Sequence, residues 1–212
     1  MSVHTFVPVI GIIGGVGSGK SSIAQWLSDK HRIITVDGDQ AGHEVLTFPS
    51  VKSQIKSRFS QSVFDDQGRV IRRALAGEIF GTNPHQHQAR IDLERIVHSK
   101  IRGILETKVI EVKESSTTAE AVILDAAVLF EARWHDLCDA VVFVDTPYQQ
   151  RLERIAESRG WSEDELAIRE SSQMSLKEKR DRADFVVDNS GTLPNSGFQF
   201  EQILLQIKNQ HG

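Results

Sequence analysis

Between Gly14 and Ser22 the chain reads GGVGSGKSS, which holds the pattern G-x-x-x-x-G-K-[ST] directly behind the apolar run Phe6 to Ile13. In a strand–turn–helix setting, glycines let backbone N–H groups converge on phosphate oxygens, and the helix that follows offers its positive end. Such a lysine reaches the β- and γ-phosphates and the Ser/Thr hydroxyl binds Mg²⁺. Gly15, Val16, Gly17, Ser18, Gly19, Lys20, Ser21 and Ser22 are therefore candidate ATP-binding residues, with Ser21 also a metal ligand.

Carboxylates come next. Asp37 and Asp39 stand two apart in TVDGDQAGHEVL, just past a second apolar run. Ligands of parallel sheets lie at the carboxyl ends of the strands, so both acids are expected to face the phosphate loop. Transfer of a phosphoryl group to a hydroxyl needs a proton acceptor and a hold on Mg²⁺, and two acids can divide those tasks. A plainer reading makes Asp39 the N-cap of a helix starting at Gln40. Asp125, at the end of AVILDA, suits a second metal contact or a strand-end turn.

Arg151, Arg154 and Arg159 precede a short joint, SRGWS, and Arg169, Lys179, Arg180 and Arg182 follow it. Each alone reads as a solvated surface charge; together they suit a closing lid that stabilises the transferring group and excludes water. Asn189, in DNSG, suits either a base contact or a turn. Arg69, Arg72 and Arg73 lie in QGRVIRRALAGEIF, and His98 sits beside an apolar stripe where a satisfied core-edge histidine is the common case. The HQH at His85 to His87 reads as a solvated loop, and the histidines show no metal spacing.

These residues need a frame. Apolar runs at Val7–Ile13, Arg32–Val36, Ala121–Asp125, Ala140–Asp145 and Ala183–Asn189, several of them continuous, read as strands buried on both faces of a parallel sheet. Helical segments alternate with them, the α/β pattern. About 80 residues separate the second strand from the third, far more than one crossover helix requires. That segment reads as helical, with Leu93, Ile96, Val97, Ile101, Leu105 and Val109 on one face. Thr146-Pro147 reads as an N-cap and first-turn proline, Gly160 as a helix stop, and Ser162 with Glu165 as a capping box.

Composition narrows the class. The 212 residues, 39% hydrophobic and with a formal charge of −4, describe a globular chain and argue against a general nucleic-acid or acidic-membrane binder. One cysteine excludes an internal disulfide and fits a reducing compartment. No apolar segment reaches the roughly 20 residues of a membrane span. The start MSVHTFVPVI lacks the features of a signal peptide, so the expected location is cytoplasmic.

Taken in order, GGVGSGKSS, VDGDQAGHEVL, GRVIRRALAGEIF with LERIVH, ILDAAVLFEA and SSQMSLKEKRDRADFVVDNSG resemble the dephospho-coenzyme A kinase family over nearly the whole chain. The resemblance implies a P-loop kinase core with a five-stranded parallel sheet (about 1–45 and 118–212), a helical acceptor-binding insertion (about 46–117) and a lid (about 151–182). It implies transfer of the ATP γ-phosphate to the ribose 3′-hydroxyl of dephospho-coenzyme A, giving coenzyme A and ADP, with Mg²⁺ and no obligate protein partner. By the same resemblance Asp39 is the base and Asp37 a nearby metal or acceptor contact, Arg154 and Arg159 are lid residues, Lys20 and Arg154 act in catalysis, and Asn189 lies by the adenine. Asp37, His43, Arg73 and His98 would meet the acceptor, and Ser21 and Asp125 the metal. The chain departs from the family pattern at Ala127-Val128, where proline is common, at His98-Ser99 in place of His-Pro, and at His43, where some members carry arginine. Another P-loop small-molecule kinase, acting on a nucleoside or nucleoside monophosphate, and a non-catalytic nucleotide switch are the competing readings.

Overall fold

The computed structural model describes residues 6–81, 83–115 and 118–211. By internal contact it divides into two units, one made of the chain up to Asp37 and from Glu106 onward, the other of Gly38–Leu105. The division thus falls at 38 and 105, against the 46 and 117 expected from sequence.

The first unit is a five-stranded sheet with helices. Its elements are β1 (Val9–Gly14), α1 (Lys20–Ser28) and β2 (Ile33–Asp37). The second unit contributes α2 (Gly38–Val45), α3 (Pro49–Arg58), α4 (Arg72–Ile79) and most of α5 (Pro84–Glu114). Then follow β3 (Ala121–Asp125), β4 (Ala140–Asp145), α6 (Tyr148–Arg159), α7 (Glu163–Ser171), α8 (Leu176–Arg182), β5 (Phe185–Asp188) and α9 (Leu193–His211). The strands stand in the order β2-β3-β1-β4-β5, and every pairing is parallel.

Sequence explains that order. VIGIIG in β1 is buried at every position, as a central strand covered on both faces must be. The outer strands β2 and β5 carry exposed positions. Ile10 and Ile12 of β1, with Ile123, Val142 and Val187, form a core with Ile23 and Leu27 of α1 and Phe200 and Leu204 of α9. Strand starts are fastened by carboxylates: Val9 N–H donates to Asp139 (2.7 Å) and Val141 N–H to Asp184 (2.8 Å). Cys138 is held in the same region, and burial, reinforced by Asp139, pushes its thiol up to about 12.

Because the strands are parallel, their carboxyl ends share one rim, which carries Gly14, Asp37, Asp125, Asp145 and Asp188. The chain leaves β1 for β2, skipping the place β3 later fills, and afterwards moves to β4 on the other side. That reversal beside β1 is where ligands of open α/β sheets bind.

The second unit has its own apolar centre, in which Val51, Ile55, Phe59, Val63, Leu75 and Ala89 are buried. Leu93, Ile96 and Val97 pack against it, so part of the stripe read from sequence does face a core. HQH is helical rather than a loop: Asn83 Oδ1 accepts from Gln86 N–H (2.8 Å), Pro84 opens α5, and His85 and His87 lie exposed in its first turn.

Candidate active site

The phosphate loop turns directly out of β1 into α1. Gly19, the residue before α1, has φ 85°, and no side chain caps the helix. A Cβ at Gly19 would meet Asn189 Nδ2 at 2.8 Å, so glycine is required there by both backbone and space. The uncapped first turn, with no acidic residue in it, leaves helix N–H groups for an anion.

The loop is braced from outside through its carbonyls. The Ser18 carbonyl accepts from Thr146 Oγ1 (2.8 Å), Asn189 Nδ2 (2.7 Å) and Arg154 Nη1 (3.3 Å). Asn189 Oδ1 in turn accepts from Ser196 Oγ at 2.7 Å. The Val16 carbonyl accepts from Arg151 Nη1 at 3.2 Å. A trans peptide points its C=O and N–H opposite ways, so donors on the outer carbonyls direct the loop's N–H groups to the other side.

Three sequence expectations change here. Thr146 does not cap α6, whose start has no side-chain cap; its hydroxyl serves Ser18 instead. Asn189 is only 4% exposed and both ends of its amide are engaged within the protein, so it acts on the loop rather than offering a free amide to a base. Arg151, read singly as a solvated surface charge, is 3% exposed and paired with Glu170. The sequence signal for Thr146 was its place directly behind a strand end, the rim that carries the other site residues. For Arg151 and Glu170 no local signal exists, because they lie on different helices.

Ser21, in the first turn of α1, donates from Oγ to Asp125 Oδ2 at 2.5 Å. Asp37 stands in register beside Asp125 on the neighbouring strand. The remaining rim acids have other employment: Asp145 pairs with Arg180, and Asp188 accepts from Ser190 N–H at 2.8 Å, its carboxyl held below the usual range by the Ser190 side chain and then by that N–H. A hydroxyl and a carboxylate side by side suit Mg²⁺, which takes one or two protein oxygens and completes its shell with phosphate and water. Among the described residues no group of three or more His, Cys, Asp or Glu could hold a metal.

Beside Gly15 lies a cavity of about 200 Å³, bordered by Asp145, Thr146, Arg151, Leu176 and Arg180. At the joint after α6, Gly160 has φ 65° and ends the helix, and Ser162 with Glu165 forms the expected capping box. Arg159 and Arg169 both stack on Trp161, at 4.9 and 5.0 Å from its ring centre. Burial, with the nearby Arg159 charge, holds the Arg169 guanidinium below its ordinary value. Arg154 instead turns to the loop, and its Nη2 reaches Gln150 Oε1 at 3.4 Å.

Lys179, grouped by sequence with the lid cations, is wholly buried. Its ammonium donates to Ala127 O (2.6 Å) and Gln173 Oε1 (2.9 Å) and pairs with Glu131 (3.0 Å). It fastens the turn after β3 to α8.

Within the helical unit, Asp39 lies in the first turn of α2, which begins at Gly38, so it is not the N-cap of a helix from Gln40. His43, in the last turn of α2, has Nε2 engaged by Arg72 Nη1. Arg72 rather than Arg73 is thus the arginine beside it, and Arg73 is exposed one residue along α4. His98 lies partly buried on α5.

A parallel sheet with a braced phosphate loop at its switch point and a Ser–Asp pair beside it defines a P-loop phosphotransferase. The family model for dephospho-CoA kinase (CoaE) matches residues 8–195. The chain is 34% identical over 204 residues to the dephospho-CoA kinase of Latilactobacillus sakei, covering 96% of this chain and 97% of that one. A solved structure from Thermus thermophilus superposes with a TM-score of 0.72 at 29% identity, over 94% of this chain and 97% of that one. The dephospho-CoA kinase of Campylobacter jejuni shares the fold, with a TM-score of 0.59 at 19% identity over 94% and 97%. The chain belongs to the dephospho-CoA kinase family, and it is an ATP-dependent kinase.

Proposed function

We propose that Asp39 accepts the 3′-hydroxyl proton of dephospho-CoA as that oxygen attacks the γ-phosphorus of ATP in line. The bond from phosphorus to the β–γ bridging oxygen breaks, and ADP and coenzyme A leave. The backbone from Gly15 to Ser22 cradles the triphosphate and Lys20 lies along its β- and γ-phosphates. Ser21 and Asp125 would hold Mg²⁺, with Asp37 close by, and the ion when bound would supply neutralisation of phosphate charge. Arg159 and Arg169, two cations on one indole, are the lid pair for the transferring group, within a lid of about 151–182. Arg154 and Asn189 serve by fixing Ser18. The helical insertion, with His43, Arg72, Arg73 and His98, receives the acceptor. A chain with a single cysteine suits the reducing cytoplasm.

The observation that carries this reading is the phosphate loop with its carbonyls bound from outside and Ser21 set against Asp125. The experiment measures ADP release from ATP and Mg²⁺ with and without dephospho-CoA, and checks the product by mass. Acceptor-dependent ADP with one added phosphate is expected. Equal release with a nucleoside as acceptor would redirect the reading to another kinase of this fold.

A further inference from the structure

Arg151 has no task in the transfer step, yet it is among the most buried charges in the unit, at 3% exposure. It comes from α6 and lies behind the phosphate loop, where its Nη1 donates to Val16 O at 3.2 Å and to Glu170 Oε1 near the end of α7. Its Nε is buried with no partner among the described residues. The fit is close: a Cβ at Gly15 would stand 2.7 Å from Nη1, so the loop packs directly on the guanidinium.

Stability alone is a poor account of this arrangement. Desolvating an ion pair commonly costs as much as the pairing returns, and apolar residues of like size serve as well. Position is the better account. Holding the Val16 carbonyl from outside turns the Gly17 N–H to the opposite side, because the two groups share one planar trans peptide. The same nitrogen is tied to Glu170, whose neighbour Arg169 stacks on Trp161 with Arg159. A second tie, from Tyr148 OH to Glu163 Oε1 at 2.9 Å, joins the first turns of α6 and α7.

We infer that Arg151 is a positioning residue: it sets the Val16–Gly17 peptide for phosphate contact and, through Glu170, makes that setting depend on where α7 stands. When ATP draws the arginines of the joint, Glu170 travels with Arg169, and the strut carries that movement to the loop. The inference deepens the kinase reading above and rests on α6–α7 acting as its lid.

Three variants test it: Arg151→Gln, Glu170→Gln and the double variant. Each is read for ATP affinity without acceptor, for kcat, for the KM of dephospho-CoA and for melting temperature. Arg151→Gln is expected to weaken ATP binding about tenfold, the loss of one charge-assisted hydrogen bond. It is expected to lower kcat and leave the acceptor KM within about twofold, since uniform binding of the acceptor is untouched. Glu170→Gln keeps the Val16 bond, so it should lower kcat while changing ATP affinity less. The double variant removes both charges, so its melting temperature should return toward wild type while ATP affinity stays weak, which a purely structural pair would not do. A double variant with wild-type affinity and kcat overturns the inference. Should Arg151→Gln fail to fold, Glu170→Gln alone decides: unchanged kcat overturns the link to α7. If the wild type shows no acceptor-dependent turnover, the kinase reading fails, while the acceptor-free ATP titrations still decide whether Arg151 positions the loop.

Discussion

The surroundings of the phosphate loop and the helical unit Gly38–Leu105 are built on opposite plans. Every buried polar or charged side chain among the described residues, Ser18, Thr146, Arg151 and Asn189 included, belongs to the unit that holds the loop. There, directional bonds fix individual peptides. The helical unit instead buries Val51, Ile55, Val63 and Leu75 and keeps its polar contacts at half-buried or exposed positions, as in Arg58–Asp92, Asp65–Arg69 and Arg72–His43. A group that is the same in every turnover, the triphosphate, merits a fixed cradle whose polar atoms are already oriented before it arrives. A unit held by non-directional apolar burial tolerates small rearrangement at its surface, where the acceptor contacts are proposed.

The largest effect should come from the chemistry placed at the edge of the helical unit. Asp39→Asn is expected to lower kcat about 10²–10⁴-fold, the range for a lost general base, with ATP affinity nearly unchanged. Single-turnover ADP formation and an ATP titration check both halves, and retained turnover would remove Asp39 from the role. Next, Ile55→Ala should cost about 2–5 kcal/mol in a denaturant melt while the KM for ATP holds, because it opens an apolar cavity far in kind from the loop's bonds. A shift in ATP affinity there would break the contrast between the two plans.

A smaller loss is expected from Asn189→Ala, which takes one donor from the buried Ser18 carbonyl and the acceptor from Ser196. About 1–3 kcal/mol of stability should go, together with several-fold in ATP affinity. If stability falls and affinity does not, the brace is structural only. The smallest effect concerns Lys179. Burial holds its ammonium below the ordinary lysine value of 10.5, against the opposing pull of Glu131. The folded form therefore gives up its proton at lower pH than the unfolded form, and this group's contribution to stability rises as pH climbs toward 10.5. Urea midpoints at about pH 8 and 10 should diverge between wild type and Lys179→Met, with the wild type gaining relative to the variant.

What could be read from sequence follows the same divide. The strands announced themselves because burial on both faces demands continuous apolar runs such as VIGIIG and AVILD, and all five lie within a few residues of their expected places. The loop was legible because phosphate binding needs glycine at fixed spacing. The braces were not, since a threonine after a strand reads locally as a cap, and only tertiary structure shows that Thr146 reaches Ser18. Lys179 was equally opaque: nothing in KEKR distinguishes the lysine that is buried from Lys177, which stays on the surface paired with Asp181. HQH misled for a related reason, as its polarity suggested a loop while Asn83 and Pro84 supplied the helix start.

The burial of Cys138 bears on the company this kinase keeps. Dephospho-CoA and coenzyme A both end in a free thiol, and both are present at every turnover. Thiol–disulfide exchange requires an accessible thiolate. The one thiol, half-buried against Gly11 and pushed up to about 12, has little thiolate to give to a mixed disulfide with substrate or product.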